Sequence, residues 1–182
     1  MSDYDWDWSS AMSKLQLSQD LDTEHYKAFS LSKPNTRCGS MRVVFTPEGI
    51  VILGDLVPLR NGVVSDFGYG LDWFSSHLYG DYLCSKFLCE EFVPEIALAN
   101  LKDHLEHADD YGYSAENVLD VQELIERLEG GELSEFEFND TMYKIDPDFV
   151  IDGCGRGYNL RNASLLCAIQ KRFAELYAEL EA

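Results

Sequence analysis

The spacing of apolar residues changes its period partway along the chain, and this change limits the fold class. Residues 41–46 are rich in β-branched and aromatic side chains, Pro47-Glu48-Gly49 is a turn signal, and residues 50–53 form a continuous apolar run. Two short runs around such a turn predict a β-hairpin. Asn61-Gly62 predicts a second tight turn that leads into a third strand.

From Gly70 onwards the apolar residues recur every three or four positions, which is typical of amphipathic helices. The clearest predicted helix follows Ser114, which is placed to cap it, and stops before Gly130-Gly131. Phe136 and Phe138 alternate with polar residues, so residues 133–145 are predicted to form a strand. Further helices are predicted at residues 71–78, 82–88 and 94–105, and a final helix is predicted from Asn159 or Asn162 to Leu180. A short helix is predicted from Ser9 or Ser10 through Leu15 towards Leu21, and a loop over residues 30–39.

These elements predict an α+β fold, in which a small antiparallel β-sheet packs against a mostly helical remainder. A chain of 182 residues is expected to form a single domain, residues 1–182, with residues 1–10 as a candidate flexible tail. The sequence begins with no basic region followed by an apolar core, the pattern of a signal peptide. It also contains no run of about 20 apolar residues, the length of a transmembrane helix. We therefore expect it in the cytoplasm, with its five cysteines reduced.

The charge of the chain is unusual in its size and its distribution. Thirty-three acidic against fourteen basic residues give a net charge of −19. Residues 90–148 hold eighteen of the acidic residues and only Lys102, Arg127 and Lys144 as basic ones, a net charge of −15. Such a balance argues against direct binding to nucleic acid or to an anionic membrane, because both need clustered Lys and Arg. Concentrated acidity predicts an acidic face.

Several carboxylates are predicted to share one side of the helix that follows Ser114, because they recur at intervals of three or four residues. Rows of carboxylates at this spacing can imitate the phosphates of a nucleic-acid backbone and so occupy a basic groove. The alternative is a solvated face that keeps the chain soluble. The carboxylates assigned to the acidic face are Glu116, Asp120 and Glu123 in the helix, Asp109 and Asp110 before it, and Glu135 and Glu137 after it.

The first eight residues interleave Asp with Tyr and Trp. Carboxylates beside large amphipathic rings suit a segment that anchors in a basic groove, which makes Trp6 and Trp8 candidate anchors. The alternatives are a disordered acidic terminus, or rings that fold back onto the body of the chain.

Other residues were weighed for catalysis or ligand binding. His104 and His107 lie one turn apart beside carboxylates and could ligate a divalent metal, but their spacing differs from the helical zinc signature. The glycine-rich residues 153–157 could cradle a phosphate, yet match no phosphate-binding motif and are better explained as a connecting loop. No motif in the sequence places Cys84 and His77 together as a catalytic nucleophile and its base. No catalytic residue, cofactor or metal site is therefore expected.

The run from Arg42 to Asp55, an apolar strand, a Pro-Gly turn and a second strand ending in Gly-Asp, resembles a pattern in small uncharacterised phage-encoded acidic proteins. In those proteins an aromatic helix such as residues 71–78 follows. The resemblance covers about a quarter of the chain and implies a phage or mobile-element origin without catalytic residues. In size and acidity the chain is also similar to anti-CRISPR and other anti-defence inhibitors, several of which mimic DNA.

Together these observations predict a non-enzymatic, phage-encoded inhibitor whose acidic surface occupies a basic nucleic-acid-binding site of a host defence complex. Its expected partner is a basic protein or nucleoprotein complex, with no direct contact to nucleic acid or membrane. The alternative is a metal-dependent hydrolase or nuclease that acts on a defence signal through His104 and His107. A second copy of the chain, paired through the C-terminal helix, is a further candidate partner.

Overall fold

The computed structural model describes residues 8–36, 39–54, 63–65, 70–76 and 80–182, with residues 63–65 and 81 as backbone only. The chain divides into two compact units: Met1–Cys89 with Leu160–Ala182, called the sheet unit below, and Glu90–Asn159, called the helical unit. One domain can contain two such units, so the expectation of a single domain stays a prediction. The fold class is α+β, as predicted.

Among the described residues, five of the seven strands lie within the first 65 positions, and the rest of the chain is mainly helical. The helices are α1 (Ser9–Met12), α2 (Gly70–Phe74), α3 (Gly80–Phe87), α4 (Pro94–Glu106), α5 (Ala115–Glu129), α6 (Glu135–Ile145), α7 (Pro147–Ile151) and α8 (Leu160–Glu181). The strands are β1 (Gln16–Asp22), β2 (Lys27–Ser32), β3 (Met41–Phe45), β4 (Ile50–Gly54), β5 (Val63–Ser65), β6 (Glu91–Phe92) and β7 (Arg156–Gly157). No described helix is long and apolar enough to cross a membrane.

The sheet unit contains a five-stranded antiparallel sheet with the order β1-β2-β3-β4-β5. The predicted hairpin is confirmed as β3 and β4, and the Thr46 hydroxyl accepts the Gly49 N–H at 3.0 Å inside its turn. Gly54 ends β4 with φ of +133°, and a Cβ there would lie 2.2 Å from the Ser40 carbonyl oxygen. The predicted third strand is β5, whereas Asn61-Gly62 lies outside the described residues.

Two predictions for the first 40 residues are wrong in part: a short helix starts at Ser9 and residues 33–36 lie outside the strands, as predicted, but the other bounds differ. The helix begun at Ser9 ends at Met12, and residues 16–22, partly assigned to it, form β1. The predicted loop over residues 30–39 begins with the end of β2, where Leu31 is buried between Ser30 and Ser32. Serine there suggested a loop, but its alternation with apolar residues has the two-residue period of a strand that is buried on one face.

Helix α8 packs against the sheet unit's aromatic core. Phe173 is fully buried, and its ring lies 5.4 Å from that of Phe29 and 5.3 Å from that of Phe74. Gln170 is the buried polar residue of the described core, and its amide donates to the carbonyls of Phe74 and Ser76. These hydrogen bonds satisfy the open carbonyls at the end of α2, so α8 holds that short helix in place.

The helical unit is built from α4 to α7 and the two-stranded pair β6–β7. Two predicted helix starts are confirmed: Pro94 occupies the first turn of α4, and the Ser114 hydroxyl accepts the Asn117 N–H at the start of α5. Part of the predicted glycine-rich loop pairs with β6 as β7. The core of the unit consists of Ala97, Leu101, Val121, Leu124, Leu128, Phe138, Met142 and Phe149.

The strand predicted at residues 133–145 is wrong, because residues 135–145 form helix α6. Ser134 and Glu137 form a reciprocal capping box at its start, which favours a helix over a strand. Phe138 and Met142 are buried one turn apart, while Phe136 is exposed. In a strand Phe136 and Phe138 would share a face, but in a helix they point about 200° apart.

Candidate partner-binding surface

The helical unit carries most of the negative charge of the chain. Residues 90–159 contain nineteen acidic and four basic residues, a formal net charge of −15, against −4 for the rest of the chain. The sequence placed this charge in residues 90–148, and the structure collects these residues in one compact unit. The acidity therefore belongs to a folded body with its own core.

All four basic residues of the helical unit already have partners. Lys102 pairs with Glu129 at 2.7 Å, Lys144 with Asp140 at 2.7 Å, and Arg127 with Glu137 at 3.5 Å. The Arg156 guanidinium donates to the Glu90 carbonyl at 3.3 Å. Within this unit, sixteen of the nineteen carboxylates therefore face no Lys or Arg side chain.

Helix α5 brings three of the predicted carboxylates onto one side. Glu116, Asp120 and Glu123 are exposed, and no described residue forms an ion pair with any of them. Their spacing of four and three residues puts them in a row along the helix. A different side of α5, about 100° around the helix, supplies three buried residues of the core, Val121, Leu124 and Leu128.

Leu119 lies at the edge of this acidic side of α5, about 60° around the helix from Glu116. Its side chain is 66% exposed, with Glu116 three residues before it and Glu123 four residues after it. Single exposed apolar residues are common on protein surfaces, but a large apolar side chain beside these carboxylates would give a protein partner an apolar contact next to the charges. Leu119 is not among the predicted site residues, although its position on the polar side of the predicted helix is a signal in the sequence.

Helix α6 exposes a second large apolar group beside carboxylates. Phe136 is 80% exposed and Tyr143 is 57% exposed, and they lie seven residues, or two turns, apart on the helix. Glu135 beside Phe136 is exposed as well. The predicted strand placed Phe136 on the same face as the buried Phe138. The exposure of Phe136 was therefore not predicted.

Glu137, one of the predicted carboxylates, also has a structural role. Its carboxylate accepts the Ser134 hydroxyl at 2.7 Å and the Ser134 N–H at 3.1 Å. These hydrogen bonds, with a smaller contribution from Arg127, lower the pKa of Glu137. Glu137 therefore stabilises the start of α6 and is less available to a partner than Glu135.

The remaining predicted site residues lie elsewhere. Asp109 and Asp110 are exposed in the turn between α4 and α5, where Gly112 adopts φ of +70°. Trp6 lies outside the described residues. Trp8 belongs to the sheet unit, where its indole N–H donates to the Ser164 hydroxyl at 3.1 Å. This geometry favours the alternative in which the Trp8 ring folds back onto the body of the chain.

His104 belongs to a hydrogen-bonded cluster inside the helical unit. Its ring stacks on that of Tyr111 at 3.9 Å, and its Nδ1 atom lies 3.2 Å from the Tyr113 hydroxyl. That hydroxyl donates to Asp146 Oδ2 at 2.9 Å, and Asp146 Oδ1 accepts the Phe149 N–H at the start of α7. Burial, helped by the Asp146 hydrogen bond, raises the pKa of Tyr113, so this phenol stays protonated as the donor.

His107 has different partners from His104. Its Nδ1 atom lies 2.9 Å from the Asp103 carbonyl oxygen, in an exposed position. Backbone hydrogen bonding and the negative charge of Asp103 raise the pKa of His107. Among the residues that the structure describes, no three His, Cys, Asp or Glu side chains form a group that could hold a metal ion.

Asp146→Ala is expected to lower the free energy of unfolding by about 1–3 kcal/mol, because it leaves both the Tyr113 hydroxyl and the Phe149 N–H without their acceptor. Urea denaturation followed by far-UV circular dichroism measures the change. Asp148→Ala, an exposed neighbour in the same helix, is the matched control and should change stability by no more than about 0.5 kcal/mol. Equal effects of the two variants would contradict the role given to Asp146.

No protein-family model matches the sequence, and no curated protein or solved structure shows significant similarity to the chain.

Proposed function

We propose that the chain is a non-enzymatic inhibitor that uses the helical unit to occupy a basic, nucleic-acid-binding site of another protein. The observation that carries this proposal is the exposed side of α5, a row of carboxylates without basic partners beside an exposed leucine. A host defence complex is the partner class that the similarity in size and acidity to anti-defence inhibitors implies. The exposed side of α6 adds aromatic contacts to the same unit.

The spacing of the carboxylates supports competition with nucleic acid. A helix rises 1.5 Å per residue, so Glu116, Asp120 and Glu123 place one negative charge about every 5 Å along the axis. A DNA strand places one about every 3.4 Å. A basic groove that binds phosphates would therefore attract this row of charges, and the attraction would weaken as salt is added.

The exposed apolar residues support a protein partner over a role in solubility alone. Carboxylates speed association and select a basic surface, but buried aromatic and aliphatic groups supply much of the affinity of protein interfaces. Leu119, Phe136 and Tyr143 offer such groups on a unit of net charge −15. The expected partner surface thus combines Lys and Arg with a small apolar contact area.

The alternative of a metal-dependent hydrolase or nuclease gains no support from the described residues. His104 is held in a cluster with Tyr111, Tyr113 and Asp146, while His107 lies against Asp103. The two imidazoles thus have separate surroundings, and no observation favours a joint role. We therefore carry this function no further.

A capture and competition experiment tests the proposal. The tagged chain is used to capture partners from a bacterial lysate, and the nucleic-acid affinity of each purified partner is then measured by fluorescence anisotropy. We expect a basic protein or complex that loses its nucleic acid when one equivalent of the chain is added. Captured partners that bind nucleic acid equally well with and without the chain would overturn the proposal.

Phe136→Ala is expected to weaken binding to that partner by about tenfold, because it removes an exposed aromatic ring from the proposed interface. Its effect on the free energy of unfolding should stay within about 0.5 kcal/mol, because the ring is exposed. Calorimetric titration of the partner measures the affinity. Tyr26→Ala, an exposed aromatic residue of the sheet unit, is the matched control and should leave the affinity unchanged. Equal affinities of the two variants would remove α6 from the interface.

A further inference from the structure

The sheet unit contains an open cleft of about 700 Å³ with an unusual set of charges. The cleft is lined by residues that follow α1, by the chain after β2, and by the second half of α8. Its volume lies in the range of small-molecule sites in proteins. Leu15 and Leu176, both buried, provide apolar lining.

Three basic side chains, Lys14, Lys33 and Arg172, line this cleft. No described residue forms an ion pair or hydrogen bond with the ammonium group of Lys14 or Lys33. Elsewhere in the described chain, Lys27, Lys102 and Lys144 pair with carboxylates, Lys86 lies over the Tyr82 ring, and Lys171 forms no ion pair with a described residue. What distinguishes Lys14 and Lys33 is that both line one cleft together with Arg172, and three cations around one cleft favour an anionic ligand.

Arg172 is fixed at the cleft with part of its hydrogen-bonding capacity unused. One terminal nitrogen, Nη2, donates to the Leu15 carbonyl at 3.0 Å, and Nη1 pairs with Glu175 at 3.2 Å. The Nε atom is buried and has no hydrogen-bond partner among the described residues. Each terminal nitrogen also carries a second N–H that no described residue accepts, and a phosphate oxygen in the cleft would accept there.

The cleft also holds one carboxylate, which restricts the kind of ligand. Arg172, Leu176 and Glu179 follow one another at intervals of four and three residues, so a cation, an apolar group and an anion lie in a row along α8. A ligand that matches this row has an anionic group at one end, an apolar middle and a hydrogen-bond donor at the other end. Inorganic phosphate alone matches only one end.

We propose that this cleft binds a small organic molecule that carries a phosphate group. Lys14, Lys33 and Arg172 hold the phosphate, since Arg and Lys are the side chains that pair best with phosphate oxygens. Glu179 accepts a hydrogen bond from a hydroxyl or amino group of the organic part. This site goes beyond the proposed function, because it uses none of the residues of the helical unit.

Calorimetric titration of the full chain at physiological salt tests the site with three probes: AMP, inorganic phosphate and adenosine. We expect AMP to bind, inorganic phosphate to bind more weakly, and adenosine to bind at least about tenfold more weakly than AMP. Equal binding of AMP and adenosine would overturn the phosphate assignment. Glucose 6-phosphate is titrated as a phosphate ester without a base, and failure of both esters at millimolar concentration would overturn the proposal.

The double variant Lys14→Gln/Lys33→Gln tests the residues. It is expected to weaken AMP binding at least about tenfold, because it removes both unpaired ammonium groups. Lys171→Gln, which changes an exposed lysine of α8 outside the cleft lining, should weaken binding less than about twofold. Thermal unfolding checks that both variants fold. Equal affinities of the double variant and the control would contradict the assignment of the site.

Discussion

Replacing Phe173 with alanine is expected to lower the free energy of unfolding of the sheet unit by about 3–5 kcal/mol. The ring is fully buried and lies edge-on to Phe29 at 5.4 Å and to Phe74 at 5.3 Å. It is also tilted against Phe45 at 5.6 Å and stacked on Tyr177 at 5.9 Å. Alanine would remove these contacts and leave a cavity between α8 and the sheet, which rigid aromatic neighbours fill poorly.

Tryptophan fluorescence during urea denaturation measures the change in the free energy of unfolding of the sheet unit. Trp8 and Trp73 lie in the sheet unit, and residues 90–159 contain no tryptophan. Phe136→Ala is the control, because it removes the same ring from an exposed position of the helical unit and should leave the fluorescence transition unchanged. A loss below about 1 kcal/mol for Phe173→Ala would show that the cluster is not the centre of this core.

Reversing Glu116, Asp120 and Glu123 together to lysine is expected to weaken binding to a basic partner at least about 100-fold, because each reversal replaces an attraction by a repulsion. Folding should be retained, since all three side chains are exposed and lysine is a good helix former. Glu116 lies in the first turn of α5, so its reversal costs about 0.3–1 kcal/mol through the helix dipole. Binding is measured by calorimetric titration of the captured partner.

A matched control separates this local effect from the change in net charge. Glu24, Glu48 and Glu181 are exposed carboxylates of the sheet unit, and their reversal to lysine changes the total charge by the same amount. This control should weaken binding by less than about threefold, which reflects only long-range attraction screened by salt. If the two triple variants bind equally, α5 is not the surface that the partner recognises.

The parts of the fold that were predicted correctly are those with strong local signals. The β3–β4 hairpin has a Pro-Gly turn between apolar runs, and α5 has a serine cap, a regular apolar face and two glycines after it. Strand β2 and helix α6 were missed because their local composition was ambiguous. Pairing with β1 and β3 stabilises β2 although it contains serines. At α6, burial of both Phe138 and Met142 favours a helix over a strand.

The candidate surface was predicted in its charge and missed in its apolar residues. Spacing alone placed Glu116, Asp120 and Glu123 on one side of a helix, and the structure has them there. Exposure of Leu119 depends on which side of α5 faces the core, and exposure of Phe136 depends on α6 being a helix. Both follow from tertiary packing, which the spacing of charges does not report.

The pairing of β6 with β7 has a consequence for how the acidic segment is built into the chain. Glu91 lies opposite Gly157 and Phe92 opposite Arg156, so the two ends of residues 90–159 are hydrogen-bonded neighbours, about 5 Å apart. A segment whose ends meet can be added to a host chain or removed from it without stretching the host. The helical unit therefore has the adjacent ends that are typical of an inserted domain. Its sequence and charge can change while the sheet unit keeps its own core.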